Sequence, residues 1–165
     1  MKPRPIKIVG DTAYIALTKG YVAVIDAADV PLIEGWNWSA SVDGNTVYAV
    51  RKITGEKRTM SLHRYLLGAK TGLDVDHQDA NGLNNKRANI RIATRSQNLQ
   101  NAAIHSNNTS GVKGVYWHAR TNKWRARVTA GGKTESLGYF HTLEAAASAR
   151  VLGALSMHGD FARIR

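Results

Sequence analysis

The chain has 165 residues, with 23 Lys and Arg against 12 Asp and Glu and a formal net charge of +11. That length suits one domain or two or three very small modules, and that charge favours a polyanionic partner, nucleic acid ahead of a membrane surface. The chain has no cysteine, which excludes disulfides and thiolate zinc sites and leaves oxygen and imidazole as ligands for any metal.

No apolar run reaches the roughly 18 residues that span a bilayer, and MKPRPIKIVGD lacks the apolar core of a signal peptide, so a soluble, cytoplasmic protein is expected. Residues 1–61 form a β-rich N-terminal module in this reading. Alternation in KIVGDTAYIALT, YVAVID and TVYAVRK marks strands, with turns at Gly10-Asp11, Lys19-Gly20 and Asp43-Gly44. DAADVPLIEGW predicts one short helix capped by Asp26 and stopped by Gly35, and Trp36 and Trp38 are expected on a strand with both rings in the core.

Residues 62–101 carry the chemistry. LDVDH reads as a strand, NGLNN as a turn-rich loop, NIRIA as a second strand and TRSQNLQNAA as a helix, which together make a ββα unit. Thr94 and Gln97 stand in capping-box register and place Asn98 one turn into that helix. On an ideal strand Asp76 and His77 point to opposite faces, so a bend or strand end is needed to bring both into one site. Asn81-Gly82 predicts a tight turn. Lys86, Arg87 and Arg91 are candidate phosphate contacts, and His63 is expected to be structural, with lining the site as its alternative.

This segment resembles the HNH branch of the His-Me finger, or ββα-metal, endonucleases of phage and homing type. The resemblance implies that His77 activates water, that Asp76 and Asn98 bind one divalent metal, Mg2+ or Mn2+, and that Asn89 braces the loop. It also implies phosphodiester hydrolysis in double-stranded DNA, inside a bacterial or phage-infected cell. Imidazole suits the task, since its reference pKa near 6.5 lets it take a proton from water at neutral pH.

A polar linker, 102–109, leads to the block 110–165, where the excess of Lys and Arg over Asp and Glu is largest. Three strands and then a helix are expected, making the whole chain α+β. Lys123, Arg125 and Arg127 share one strand face and Trp124, Ala126 and Val128 the other, which a helix opened by Thr142 and Glu144 covers with Ala145, Ala146, Ala149 and Leu152 before Gly159. KGVYW, KWRARV, SLGYF and HGDFARI resemble the ethylene-response-factor type of DNA-binding domain, a three-stranded antiparallel sheet with one helix. By matching positions the resemblance assigns DNA contacts to Lys113, Tyr116, His118, Arg120, Arg125 and Arg127. Tyr116 and His118 replace that family's usual arginines and Arg120 its tryptophan, so its sequence preference does not carry over. Trp117 and Trp124 are expected in the core.

Together these readings predict a monomeric, metal-dependent DNA endonuclease of phage or mobile-element homing type, aimed by its C-terminal module. The alternatives are a non-catalytic DNA-binding regulator on the same scaffold and an RNA-processing nuclease.

Overall fold

The computed structural model describes residues 3–56, 58–101, 104 and 107–162, so much of the linker and the end of HGDFARI lie outside the described residues. The protein is a mixed α and β chain with several small antiparallel sheets and few helices, divided into two compact units, Met1–Ala93 and Thr94–Arg165. No described helix is long and apolar enough to cross a membrane.

In the first unit, β1 (Ile6–Val9), β2 (Thr12–Ala16) and β3 (Val22–Asp26) form an antiparallel meander. The alternation of β2 works as read: Ala13 and Ile15 are buried while Tyr14 between them is exposed. A second meander joins β4 (Ser39–Asp43), β5 (Thr46–Lys52) and β6 (Thr59–Ser61). Its first hairpin turns at Gly44-Asn45, where Gly44 takes a φ of +55° that a residue with a side chain adopts reluctantly.

Between the meanders, the helix predicted over 26–35 shrinks to a 3-10 turn, Ala27–Asp29, and one turn of α1 (Val30–Ile33). Asp26 does not cap it, because its carboxylate instead accepts a hydrogen bond from the Arg87 backbone N–H at 2.8 Å. The tryptophan expectation also needs correction. Trp36 and Trp38 lie in the irregular stretch before β4, not on a strand. Trp38 is 1% exposed and Trp36 is 45% exposed, with the Arg51 guanidinium stacked 3.6 Å from its ring centre.

The unit closes with α2 (Leu62–Leu66) and a two-stranded antiparallel sheet of β7 (Asp74–His77) and β8 (Ile90–Ala93). One hydrophobic core takes Ile15, Ile25, Ile33, Trp38, Leu62, Leu66, Val75 and Ile90. The strand bearing Asp76 and His77 is thus built on the same interior as the N-terminal meanders. Truncating Trp38 to alanine there would cost about 3–5 kcal/mol.

In the second unit, α3 (Arg95–Asn101) precedes a sheet of order β11-β10-β9, from β9 (Val115–His118), β10 (Lys123–Ala130) and β11 (Lys133–Phe140), and α4 (Leu143–His158) packs on it. Thr142 caps α4 by accepting from the Ala145 N–H, and Gly159 ends it. The covering stripe differs from the predicted one: Ala145 and Leu152 are exposed, while Ala146, Arg150, Ala154 and His158 are buried. The run Ala145-Ala146-Ala147 allows several apolar stripes, and the close fit of Gly153 against Leu137 selects one of them. A Cβ on Gly153 would fall 2.7 Å from a Leu137 methyl. Trp124 joins this core as expected, whereas Trp117, opposite it on the outer strand, is 46% exposed and meets it edge-on at 5.3 Å. An outer strand reaches past the helix, so its apolar face is only partly covered.

Candidate active site

Alternation along β7 sends its two candidate residues to different neighbours. Asp76 stands opposite Arg91 on β8, and the Arg91 Nε and Nη2 groups donate to the same carboxylate oxygen at 2.9 and 2.8 Å. His77, the last residue of the strand, packs its ring against α2, edge-on to His63 at 4.8 Å and tilted to Tyr48 at 5.9 Å. Both candidates are buried, at 4% and 6% exposure. The strand end nonetheless brings the Asp76 and Asp79 carboxylates close enough to His77 to favour its charged form. Burial outweighs both these charges and the Asn85 bond, which also favours the charged form, and lowers the His77 pKa below that of a free imidazole.

The loop from Gln78 to Asn89 is closed by its asparagines. Asn89 donates to the Asp79 carboxylate at 2.9 Å and to the Asn84 carbonyl at 2.7 Å, and its amide oxygen accepts from the Asp79 N–H at 3.1 Å. The Asn84 side-chain amide donates to the other Asp79 oxygen at 2.8 Å. Partial burial raises the Asp79 pKa, but these bonds and that of the Asn81 N–H hold it below the usual carboxylate range. Asn81 accepts from the Leu83 N–H, giving the turn expected at Asn81-Gly82. A Cβ on Gly82 would sit 2.6 Å from the Val47 carbonyl oxygen and 2.7 Å from the Tyr48 ring, so only glycine lets the loop lie this close to β5.

The loop is also stitched to β3. The Val24 N–H donates to the Leu83 carbonyl at 2.8 Å, and the Asn85 N–H donates back to the Val24 carbonyl at 2.7 Å. Asn85, which sequence reasoning passed over, is wholly buried and its amide oxygen lies 3.4 Å from His77 Nε2. Its only signal in the sequence is membership of an unusually Asn-rich loop, and a turn-forming role explains such a loop equally well.

His63 is buried against both His77 and Tyr48, and desolvation, with the nearby positive charges of His77 and Arg64, lowers its pKa to about 3. Two candidate phosphate contacts are tied to acidic partners, one in the first meander and one in the turn that follows it. Arg87 makes a bidentate pair with buried Asp29 at 2.8–3.0 Å, and Lys86 lies 3.5 Å from Asp11. Arg91 is held by Asp76.

Asn98 belongs to α3 in the second unit, where its N–H donates to the Thr94 carbonyl. The capping box is formed: the Thr94 N–H donates to Gln97 Oε1 at 2.8 Å and the Gln97 N–H to Thr94 Oγ1 at 3.3 Å. No cluster of three or more His, Cys, Asp or Glu suited to a metal occurs among the described residues. A carboxylate and an amide oxygen, as Asp76 and Asn98 offer, are hard donors that suit Mg2+ or Mn2+.

The open face of the second unit's sheet carries Tyr116, His118, Arg125, Arg127 and Tyr139. Arg125 lies 5.9 Å from the Tyr116 ring and 5.4 Å from that of Tyr139, and Arg127 lies 5.1 Å from Tyr116. His118 meets Tyr139 edge-on at 5.1 Å. Arg120 is exposed in the turn after β9. Lys113 instead donates to the Leu99 and Gln100 carbonyls at the end of α3.

An uncharacterized HNH endonuclease of Acanthamoeba polyphaga mimivirus is 31% identical over 164 residues, covering 94% of this chain and 82% of its own. Protein 3.8 of Escherichia phage T7 is 37% identical over 94 residues, covering 57% of this chain and 77% of its own. No family model matches the sequence, and no solved structure matches it.

Proposed function

Because this chain belongs to the HNH endonuclease family, we propose that it hydrolyses phosphodiester bonds in double-stranded DNA, with His77 as general base and the basic sheet of residues 110–165 as the part that selects the target. The observation that carries the reading is the position of His77. A buried imidazole ends β7 directly after the Asp76 carboxylate, beside a loop locked by Asn89, on elements that share one core with the N-terminal sheets.

His77 takes a proton from water as the water oxygen bonds to phosphorus, and the phosphorus–oxygen bond to the departing 3′ oxygen breaks. Asp76 and Asn98 are the residues that would hold a single Mg2+ or Mn2+. When bound, that ion supplies positive charge to stabilise the phosphate and the leaving oxygen. The proposal includes a phage or mobile-element homing role in an infected cell and a monomeric enzyme; relatives in phage T7 and mimivirus support its viral setting.

The test is cleavage of supercoiled plasmid and of DNA from the protein's own locus, with Mg2+ or Mn2+. His77→Ala is expected to cut at least about 100-fold more slowly, the usual scale of a general base, while binding duplex DNA as before. Undiminished cutting by the pure variant sinks the assignment. The Asp76–Arg91 ion pair favours a second reading, a DNA binder that keeps the fold without cutting, because it sets a cation against a carboxylate meant for metal. The absence of nicked or linear product from the unaltered protein would select that reading.

A further inference from the structure

We infer that Asn85 is a positioning residue for His77: it fixes which imidazole nitrogen carries the proton, and β3 of the N-terminal meander holds it in place to do so. This rests on His77 being the base. Asn85 is wholly buried in a loop between β7 and β8, where an amide is costly unless its polar atoms are satisfied. Its Nδ2 donates to the Leu83 carbonyl at 2.9 Å, which sets the orientation of the amide and turns Oδ1 toward His77 Nε2 at 3.4 Å.

An amide oxygen only accepts, so the neutral ring that makes this bond carries its proton on Nε2 and its lone pair on Nδ1. That tautomer directs the basic nitrogen away from Asn85. The contact is long, as contacts of catalytic groups often are before substrate is bound. The placement does not depend on Asn85 alone. Its N–H bonds the Val24 carbonyl, and the Val24 N–H bonds the carbonyl of Leu83, the same oxygen that orients the Asn85 amide. A chain of hydrogen bonds therefore runs from β3 through Leu83 and Asn85 to the base, and it gives the N-terminal meander a share in catalysis.

The experiment reads the tautomer directly. Long-range proton–nitrogen spectra of the 15N-labelled full chain, without metal at pH 8, report which ring nitrogen of His77 is protonated, and His77→Gln assigns the signals. The unaltered protein is expected to show Nε2–H. Asn85→Ala should lose that preference and lower kcat about 10-fold or more at unchanged KM, whereas Asn85→Asp, which keeps an acceptor for Nε2–H but loses the donor to the Leu83 carbonyl, should keep the Nε2–H tautomer. An Nδ1–H tautomer in the unaltered protein overturns the inference, as does an Asn85→Ala protein with unchanged tautomer and kcat. If Asn85→Ala does not fold, the unaltered spectrum and Asn85→Asp decide. The base assignment fails separately: His77→Gln cutting at full rate removes it, whatever the tautomer.

Discussion

In the first unit His77 and Asp76 are buried and Asn89 partly so, and each is held by a named partner: His77 by Asn85, His63 and Tyr48, Asp76 by Arg91, and Asn89 by Asp79. In the second unit the corresponding cations stand on an open sheet face, against tyrosine rings. The difference fits the two tasks proposed for the units. A base must be held in one geometry, so its surroundings are a closed polar network, costly to disturb because every buried group depends on its partner. A surface that meets a polyanion needs cations that can still exchange water for phosphate, and tyrosine rings hold them loosely without neutralising them.

Arg87 offers the largest break in that contrast. It is a cation from the loop that follows His77, yet its guanidinium clamps the buried Asp29 carboxylate in the turn after the first meander. Arg87→Ala should destabilise the protein by about 2 kcal/mol, since it leaves a buried carboxylate unpaired, with the value reduced for the half-exposed arginine. Urea denaturation checks this. Unchanged stability alongside weakened DNA binding would move Arg87 from the frame to the phosphate-contacting set.

Acid should separate the units next. His63 in the first and His158 in the second are both buried, and desolvation is the main cause that depresses each pKa, His63 to about 3. The unfolded chain takes up these protons near pH 6.5 and the folded chain only at lower pH, so the stability is fully present above about 6.5 and is lost as pH falls through the folded values. Each histidine contributes about 1.4 kcal/mol per pH unit inside its window, and that of His63 runs on toward pH 3. His63→Phe should flatten the fall in denaturation free energy between pH 6 and 4. If His63→Phe keeps the full slope, the histidine is charged in the folded protein and the dry packing around His77 is wrong.

How much of this was legible in the sequence follows the range of the interactions. The alternating strands β2, β3, β5 and β10, the Thr94–Gln97 box and the Thr142 cap are local, set by alternation and by side chains reaching a few residues, and they form where the sequence places them. Asp26 was misread as a helix cap because its partner, the Arg87 N–H, is far along the chain. Trp36 and Trp38 have the same chemistry, and only the arrival of Arg51 on the first and of the core around the second tells them apart. Asn85 was hidden for a related reason. Nothing in NGLNN says which asparagine will be buried against β3.

The smallest expected effect belongs to Arg127, and it tests the open half of the contrast. Arg127 is exposed, follows the bulge in β10 and keeps its guanidinium 5.1 Å from the Tyr116 ring, while its backbone N–H is held by the Gly114 carbonyl. Arg127→Ala therefore leaves the frame intact and should shift stability by less than about 0.5 kcal/mol. If the side chain meets a phosphate, removing it costs about 1 kcal/mol of duplex affinity, and the slope of log affinity against log salt shrinks by about one unit. A side chain that reads a base edge would instead relax discrimination at one position of the target. Titration of cognate and scrambled duplexes across a salt series separates the two, and an unchanged affinity and slope would remove Arg127 from the reading face. Because His77 in the other unit is untouched, turnover at saturating DNA should stay at the unaltered rate, and a fall in it would mean that this arginine contributes to cutting as well as to binding.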